Sequence, residues 1–267
     1  MPRSIWRGSI SFGLVTIPVS IYAAEKSKEL SFHLLDKRDM APIHNQRVNS
    51  STGEEVEWDD IVKGYEVEEG RWVTLTEEDF RAANVEATQT IDILGAVCRE
   101  AIPVEYYDKP YYLEPSKAGR KAYALLRDVL KRAERVAVAK VVIRTRQHLA
   151  LIVPEGNALL LELVRYPYEL RGTEDIDLPG DDLKSLGVTD AELSMARQLI
   201  STMEADWHPD DAVYADTYRE DLLALIKRKA GGETVEAPPP PEHEGAEVVD
   251  IMDLLKKSLE NQAVREA

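Results

Sequence analysis

The alternation of apolar and polar residues changes period several times along the chain. Residues 5–22 are dominated by β-branched and aromatic side chains, and from Ile17 through Val19 to Ile21 every second position is apolar. That spacing predicts a strand, turn, strand unit with one buried face. Pro18 inside it predicts an edge or a bulge. Residues 30–75 read as a meander. Asn49-Ser50-Ser51-Thr52-Gly53 is a turn cluster, and Glu69-Gly70 separates Tyr65-Glu66-Val67 from Trp72-Val73-Thr74-Leu75 as in a hairpin. Thr76 before Glu77, Glu78 and Asp79 predicts a capped short helix. Residues 88–97 and 136–145 read as strands, 110–115 as a short Tyr-rich extended segment, and 149–153 with 159–164 as a strand pair. Between them, Ala118, Ala122, Leu125, Leu126, Val129, Leu130 and Ala133 recur at helical spacing over 116–135. The fold class expected is mainly β with α: an antiparallel β-barrel core with flanking helices.

After Arg171 the period becomes helical. Thr189-Asp190 caps a helix bearing Leu193, Ala196, Leu199, Ile200 and Met203. A second helix spans 218–229 and ends at Gly231-Gly232. Residues 231–247 form an acidic, Pro-rich linker containing four consecutive prolines. Beyond it Val248, Ile251, Met252, Leu255 and Leu259 make one apolar stripe. A short helix on a tether cannot bury such a stripe alone, so it is read as a partner-docking helix, the alternative being that it folds back on its own domain. The boundaries expected are 1–175 for the barrel core, 176–230 for the helical part, 231–247 for the linker and 248–267 for the docking helix.

Composition excludes more than it identifies. The 267 residues suffice for a substantial core. No apolar run is long enough to cross a membrane, and residues 1–4 do not open a secretory signal, so a cytoplasmic location is expected. Cys98 is the single cysteine, which excludes an internal disulfide; between Val97 and Arg99 it is expected to be a core thiol. No phosphate-binding loop, dinucleotide fingerprint or nucleophile elbow is present. The five histidines are scattered away from metal-ligand spacing. The expectation is no catalytic residue, no metal and no cofactor.

Net charge is −16, which by itself argues against a polyanionic partner. The charge is divided, however. Residues 1–50 carry 7 basic and 4 acidic side chains, and residues 101–150 carry 11 and 5; the three remaining blocks are net −10, −6 and −9. If the fold gathers the two basic blocks on one face, that face can hold phosphate while the rest repels it.

Several segments, taken in order, resemble one family. They are Ser4-Ile5-Trp6-Arg7-Gly8-Ser9-Ile10-Ser11-Phe12-Gly13-Leu14-Val15 continuing to Ile17-Pro18-Val19; Ile61-Val62-Lys63-Gly64-Tyr65-Glu66; Lys109-Pro110-Tyr111-Tyr112-Leu113-Glu114-Pro115; and Lys121-Ala122-Tyr123-Ala124-Leu125-Leu126-Arg127. Arg144-Thr145-Arg146-Gln147-His148-Leu149-Ala150, Asp216-Thr217-Tyr218-Arg219-Glu220 and Val249-Asp250-Ile251-Met252-Asp253-Leu254-Leu255 complete the set. Together they resemble bacterial Ku proteins over nearly the whole chain. The resemblance implies a homodimeric ring around broken duplex DNA ends. Each protomer would be a barrel with an extended arm, without catalytic activity. An ATP-dependent multifunctional DNA ligase would be recruited through the C-terminal tail for non-homologous end joining. Two departures matter. Met40-Ala41-Pro42 stands near where many members carry a cysteine, so no metal role carries over. The Lys-rich tail of some members is absent here, so DNA binding is expected to rest on the core.

A ring that accepts any end contacts phosphates rather than base edges. The DNA-binding candidates are Arg3, Arg7, Lys37, Arg38 and Arg47 in the first basic block, Lys63 in the matching arm segment, and Lys117, Arg120, Lys121, Arg144 and Arg146 in the second. Each could equally be a solvated surface charge. Arg144 and Arg146, two apart after a strand, are expected to share a face. Dimer contacts are sought among Leu199, Ile200, Met203, Leu222, Leu225 and Ile226. A competing reading is an open barrel that stacks single-stranded bases on Tyr106, Tyr107, Tyr111 and Tyr112, the alternative being that these rings pack in the core from an extended strand. A third, a metal-independent hydrolase, has no candidate residues.

Overall fold

The computed structural model describes residues 3–26, 29–83, 89–233 and 251–265. The chain forms two compact units, residues 1–172 and 173–267.

Seven strands of the first unit close a barrel: β1 (Trp6–Phe12), β2 (Val15–Ala23), β5 (Thr90–Val97), β6 (Tyr107–Pro115), β7 (Val136–Ile143), β8 (Arg146–Glu155) and β9 (Ala158–Val164). Around the barrel the order is β1-β2-β6-β9-β8-β7-β5. The expectation of an antiparallel barrel needs correction at one seam. Six neighbouring pairs are antiparallel, but β1 meets β5 in parallel, with Ser9, Ile10 and Ser11 opposite Thr90, Ile91 and Asp92. A parallel pair cannot be joined by a hairpin; here the connection is β2 followed by the long excursion of residues 24–89.

The alternation read from sequence sorts the barrel's two faces. Ile10, Ile17, Val19, Ile21, Ile91, Leu113, Ala139, Val141, Ile152, Leu159 and Leu161 point inward and are buried. Pro18 pairs with Ser9 on one side, and pairing with β6 begins only at Val19, so its missing N–H falls where one ladder ends. Helix α2 (Arg120–Arg132) leads from the end of β6 to the start of β7 and adds Tyr123, Leu126 and Leu130 to the same core. The buried Tyr123 hydroxyl donates to Leu113 O at 2.8 Å and accepts from Leu159 N at 2.6 Å. A smaller apolar cluster, with Val136, Leu151, Val153 and Val164 buried, covers the outside of β7, β8 and β9 beneath residues 98–106.

The barrel therefore has two distinct ends. At the helix end lie the β1–β2 turn, the last residue of β6 and α2. At the opposite end β2 finishes, β5 starts and the β7–β8 hairpin turns. Residues 24–89 leave and return at this second end, one strand apart, and form an arm. It contains two small turns, the hairpin β3 (Lys63–Glu68) with β4 (Arg71–Leu75), and α1 (Glu77–Ala83). Asp79 and Thr76 cap α1 reciprocally. No described arm residue belongs to the buried core. Phe32, Leu34, Trp58, Val62, Tyr65 and Trp72 are each at least 60% exposed.

The second unit holds α3 (Asp190–Thr202), capped by Thr189 and Glu192, then α4 (Thr217–Ala230) and α5 (Ile251–Arg265). Helix α5 packs on α3. Its Ile251 and Leu255 line a cleft of about 230 Å³ with Leu186, Val188, Leu193 and Ala196. No described residue of this unit is buried, and Ile200 and Met203 are more than half exposed. Val248 and most of the Pro-rich stretch lie outside the described residues.

Candidate nucleic-acid interface

The cations predicted from sequence fall into three groups. The first is on the arm. Asp36 to Met40 is a tight turn closed by Met40 N–H donating to Asp36 O at 2.7 Å, with Lys37 and Arg38 exposed at its tip. Arg38 donates through Nε and Nη2 to the Asp36 carboxylate at 2.5–3.1 Å. This guanidinium, together with the Arg38 backbone N–H, holds that carboxyl below its ordinary range. Arg47 lies 3.7 Å over the Trp58 ring, a cation–π contact. Lys63 sits 3.3 Å from Glu77 and 4.7 Å from the centre of the Phe80 ring.

The second group occupies the arm end of the barrel. Arg3 and Arg7 are exposed at the start of β1, and Arg7 Nε donates to Ser4 Oγ at 3.3 Å. Arg144 and Arg146 belong to the β7–β8 hairpin. Strand alternation does not place them on one face, because Ile143 pairs with Arg146 and Arg144 sits in the two-residue turn with φ 59°. Arg144 is exposed, whereas Arg146 is ion-paired with Glu169.

The third group is at the opposite end. Lys117, Arg120 and Lys121 are exposed at the start of α2 and take part in none of the ion pairs among the described residues. The first turn of α2 has no acidic side chain. Cations beside a helix N-terminus oppose its dipole; the arrangement becomes favourable when an anion is held between them and the N–H groups. The basic residues are thus distributed over the arm and both barrel ends rather than gathered at one of them.

One expectation about a side chain is corrected, and one competing reading loses its support. Cys98 is not a core thiol. It follows the last residue of β5, is half-buried, and donates Sγ–H to Glu100 Oε2 at 3.0 Å. The Glu100 carboxylate, then burial, push the thiol up, away from the thiolate. The four tyrosines do not form a stacking platform either. Tyr111 is in the core, Tyr106 and Tyr107 pack on the outer apolar cluster, and only Tyr112 is exposed, at 48%.

Sequence reading passed over a polar pocket at the arm end. Asp108, Arg146, His148, Val164, Arg165, Tyr166 and Glu169 line a cavity of about 280 Å³. Arg165 is clamped there, donating to Glu105 O, Tyr107 O and Asp108 Oδ1. Tyr166 stacks on Tyr168 at 5.3 Å with 8° between the ring planes. Burial first, then the Arg146 charge, depress the His148 pKa, against smaller opposing effects of Asp108 and Glu169. These partners lie up to 60 residues apart in sequence, so no local pattern announces them.

The barrel is thus closed, and its arm, without a buried side chain among the described residues, carries exposed cations. The Ku70/Ku80 beta-barrel domain family matches residues 11–195. Among curated proteins, the chain is 46% identical to the non-homologous end joining protein Ku of Cupriavidus necator, over 97% of this chain and 78% of that one. It is 45% identical to the Ku protein of Opitutus terrae, over 96% and 91% of the two chains. The Ku protein of Pseudomonas aeruginosa is 43% identical, over 98% and 90%. The chain belongs to the Ku family. No helix among the described residues is long and apolar enough to cross a membrane.

Proposed function

We propose that this protein binds the ends of broken duplex DNA without reading sequence, as a homodimeric ring, and hands them to an ATP-dependent DNA ligase for non-homologous end joining. The observation that carries this reading is the arm. It leaves and re-enters one barrel end, holds no buried residue among those described, and exposes both cations and large apolar side chains. A two-stranded hairpin such as β3–β4 is marginal alone, so the arm's apolar surface calls for burial against a second copy, and its cations for phosphate. The helices of the second unit point the same way: Ile200, Met203 and Ile226 remain exposed, and obligate interfaces exceed about 2,000 Å². Lys117, Arg120 and Lys121 at the α2 terminus, and Arg144 in its turn, are the core cations best placed to take phosphates. The acidic remainder of the surface disfavours DNA outside the ring. The role requires no cofactor, no metal and no catalytic step, and places the protein on the nucleoid in the cytoplasm.

A gel shift at fixed salt tests the ring. A linear duplex is compared with the same duplex closed at both ends by bulky hairpins. A ring binds only the open form; equal binding to both means an open basic surface and sinks the proposal. Ligase recruitment is assigned to Val248, Ile251, Met252, Leu255 and Leu259, and docking then requires Ile251 and Leu255 to exchange the α3 cleft they line for the partner. Removing residues 248–259 is expected to abolish stimulation of a cognate ligase while DNA binding persists; stimulation that survives the deletion means that the ligase docks elsewhere.

A further inference from the structure

The polar pocket at the arm end has a composition that selects its ligand. Its two guanidiniums are already matched: Arg146 with Glu169, and Arg165 with Asp108 at 2.9 Å. A phosphate entering here would have to displace a carboxylate at each. His148, partly buried among them, is held toward its neutral form, so its ring offers one donor and one acceptor. The pocket thus has no net charge but carries donors and acceptors around its rim. Val164 supplies an apolar surface, and Tyr166 an aromatic one braced by Tyr168. A planar, uncharged heterocycle with hydrogen-bonding edges meets all of these requirements, and a cavity of about 280 Å³ exceeds the size of one nucleobase.

Location narrows the source. The pocket is framed by the first residues of β6 and β8 and the last of β9, at the barrel end where the arm leaves and returns and where Arg144 turns. We infer that this pocket takes an unpaired nucleobase from the tail of a bound DNA end, stacked on Tyr166 and hydrogen-bonded by His148 and the carboxylates of Asp108 and Glu169. This rests on the end-binding reading and adds to it a preference for tailed over blunt ends. A base already unpaired enters at lower cost than one that must be drawn from the duplex.

The test uses the full chain and hairpin-closed duplexes with one open end, either blunt or carrying a short single-stranded tail with 2-aminopurine at its first unpaired position. Binding is expected to change the emission of the tail base. The tailed end should be preferred over the blunt one by about tenfold, the scale of one base–aromatic stack. Tyr166→Leu, which keeps apolar bulk, is expected to remove both effects while blunt-end affinity stays within about twofold; Tyr166→Phe should retain both. Thermal melting of each variant establishes that it is folded, and the emission of wild-type complexes tests the pocket without recourse to any variant. Binding of tailed ends with unchanged emission, or an equal emission change in Tyr166→Leu, overturns the pocket alone. Failure of the wild-type protein to bind any open end overturns the end-binding reading and the pocket with it.

Discussion

His148 couples the arm end of the barrel to pH. Its imidazolium is disfavoured in the native state by burial and by Arg146. The unfolded chain therefore binds more protons once pH falls below the ordinary histidine value of 6.5. The associated stability is complete above that value and is lost as pH drops below it. Thermal melts from about pH 7.5 to about 5.5, the span over which a histidine titrates, should show a decline that His148→Gln makes shallower; an identical decline in the variant would assign the effect elsewhere. Little of this was legible in sequence. His148 is one of five scattered histidines, and its burial depends on strand pairing and on residues 165–169. Arg144 and Arg146 show the same limit from the other side. Their spacing was visible, but the turn between β7 and β8 decides which way they point. Glu134 adds a third case: with φ 54° it ends α2, the Arg135 N–H donating to Leu130 O at 3.0 Å, a stop that no glycine marks.

At the scale of elements, the strands were legible because alternation survives wherever one face is buried, as in Ile17, Val19 and Ile21. The parallel seam was not, because it joins residues about 80 positions apart and leaves no local trace. Gly8 is its one local requirement. A Cβ at this position would lie 2.1 Å from Gln89 O and 2.2 Å from the Trp6 ring. The same carbonyl accepts the Ser9 N–H at 2.9 Å where the arm re-enters the barrel. The Trp6 ring can swing, but the Gln89 backbone can move only by loosening the seam. Gly8→Ala is expected to cost about 3 kcal/mol, the upper part of the range for overpacking. Denaturant titration should show it, with the largest loss of amide protection on β1 and β5. A change below about 0.5 kcal/mol, the scale of an ordinary surface substitution, would mean that the seam tolerates displacement.

For the whole molecule, the arm and the barrel carry separate burdens. Among the described residues, all buried side chains belong to the barrel strands and α2, and the arm's two junctions are separated by a single strand, roughly 10 Å at ordinary strand spacing. Replacing residues 24–89 with a short Gly-Ser linker is therefore expected to leave a folded barrel with a cooperative melt, while retention of DNA ends is lost. An excised chain that fails to fold would show that the arm contributes to the core after all; one that still holds ends would move the proposed embrace elsewhere.

The parallel seam also sets a timetable for synthesis. The β1–β2 hairpin is made first, yet the outer edge of β1 waits for β5 and that of β2 waits for β6. At about 5–20 residues per second, the nascent protein displays an open ribbon with two unpaired edges for several seconds while the arm is translated. Exposed edges invite pairing with neighbouring chains. The segment emerging during most of that interval, residues 51–100, is the most acidic block of the sequence at net −10, a charge that opposes such pairing.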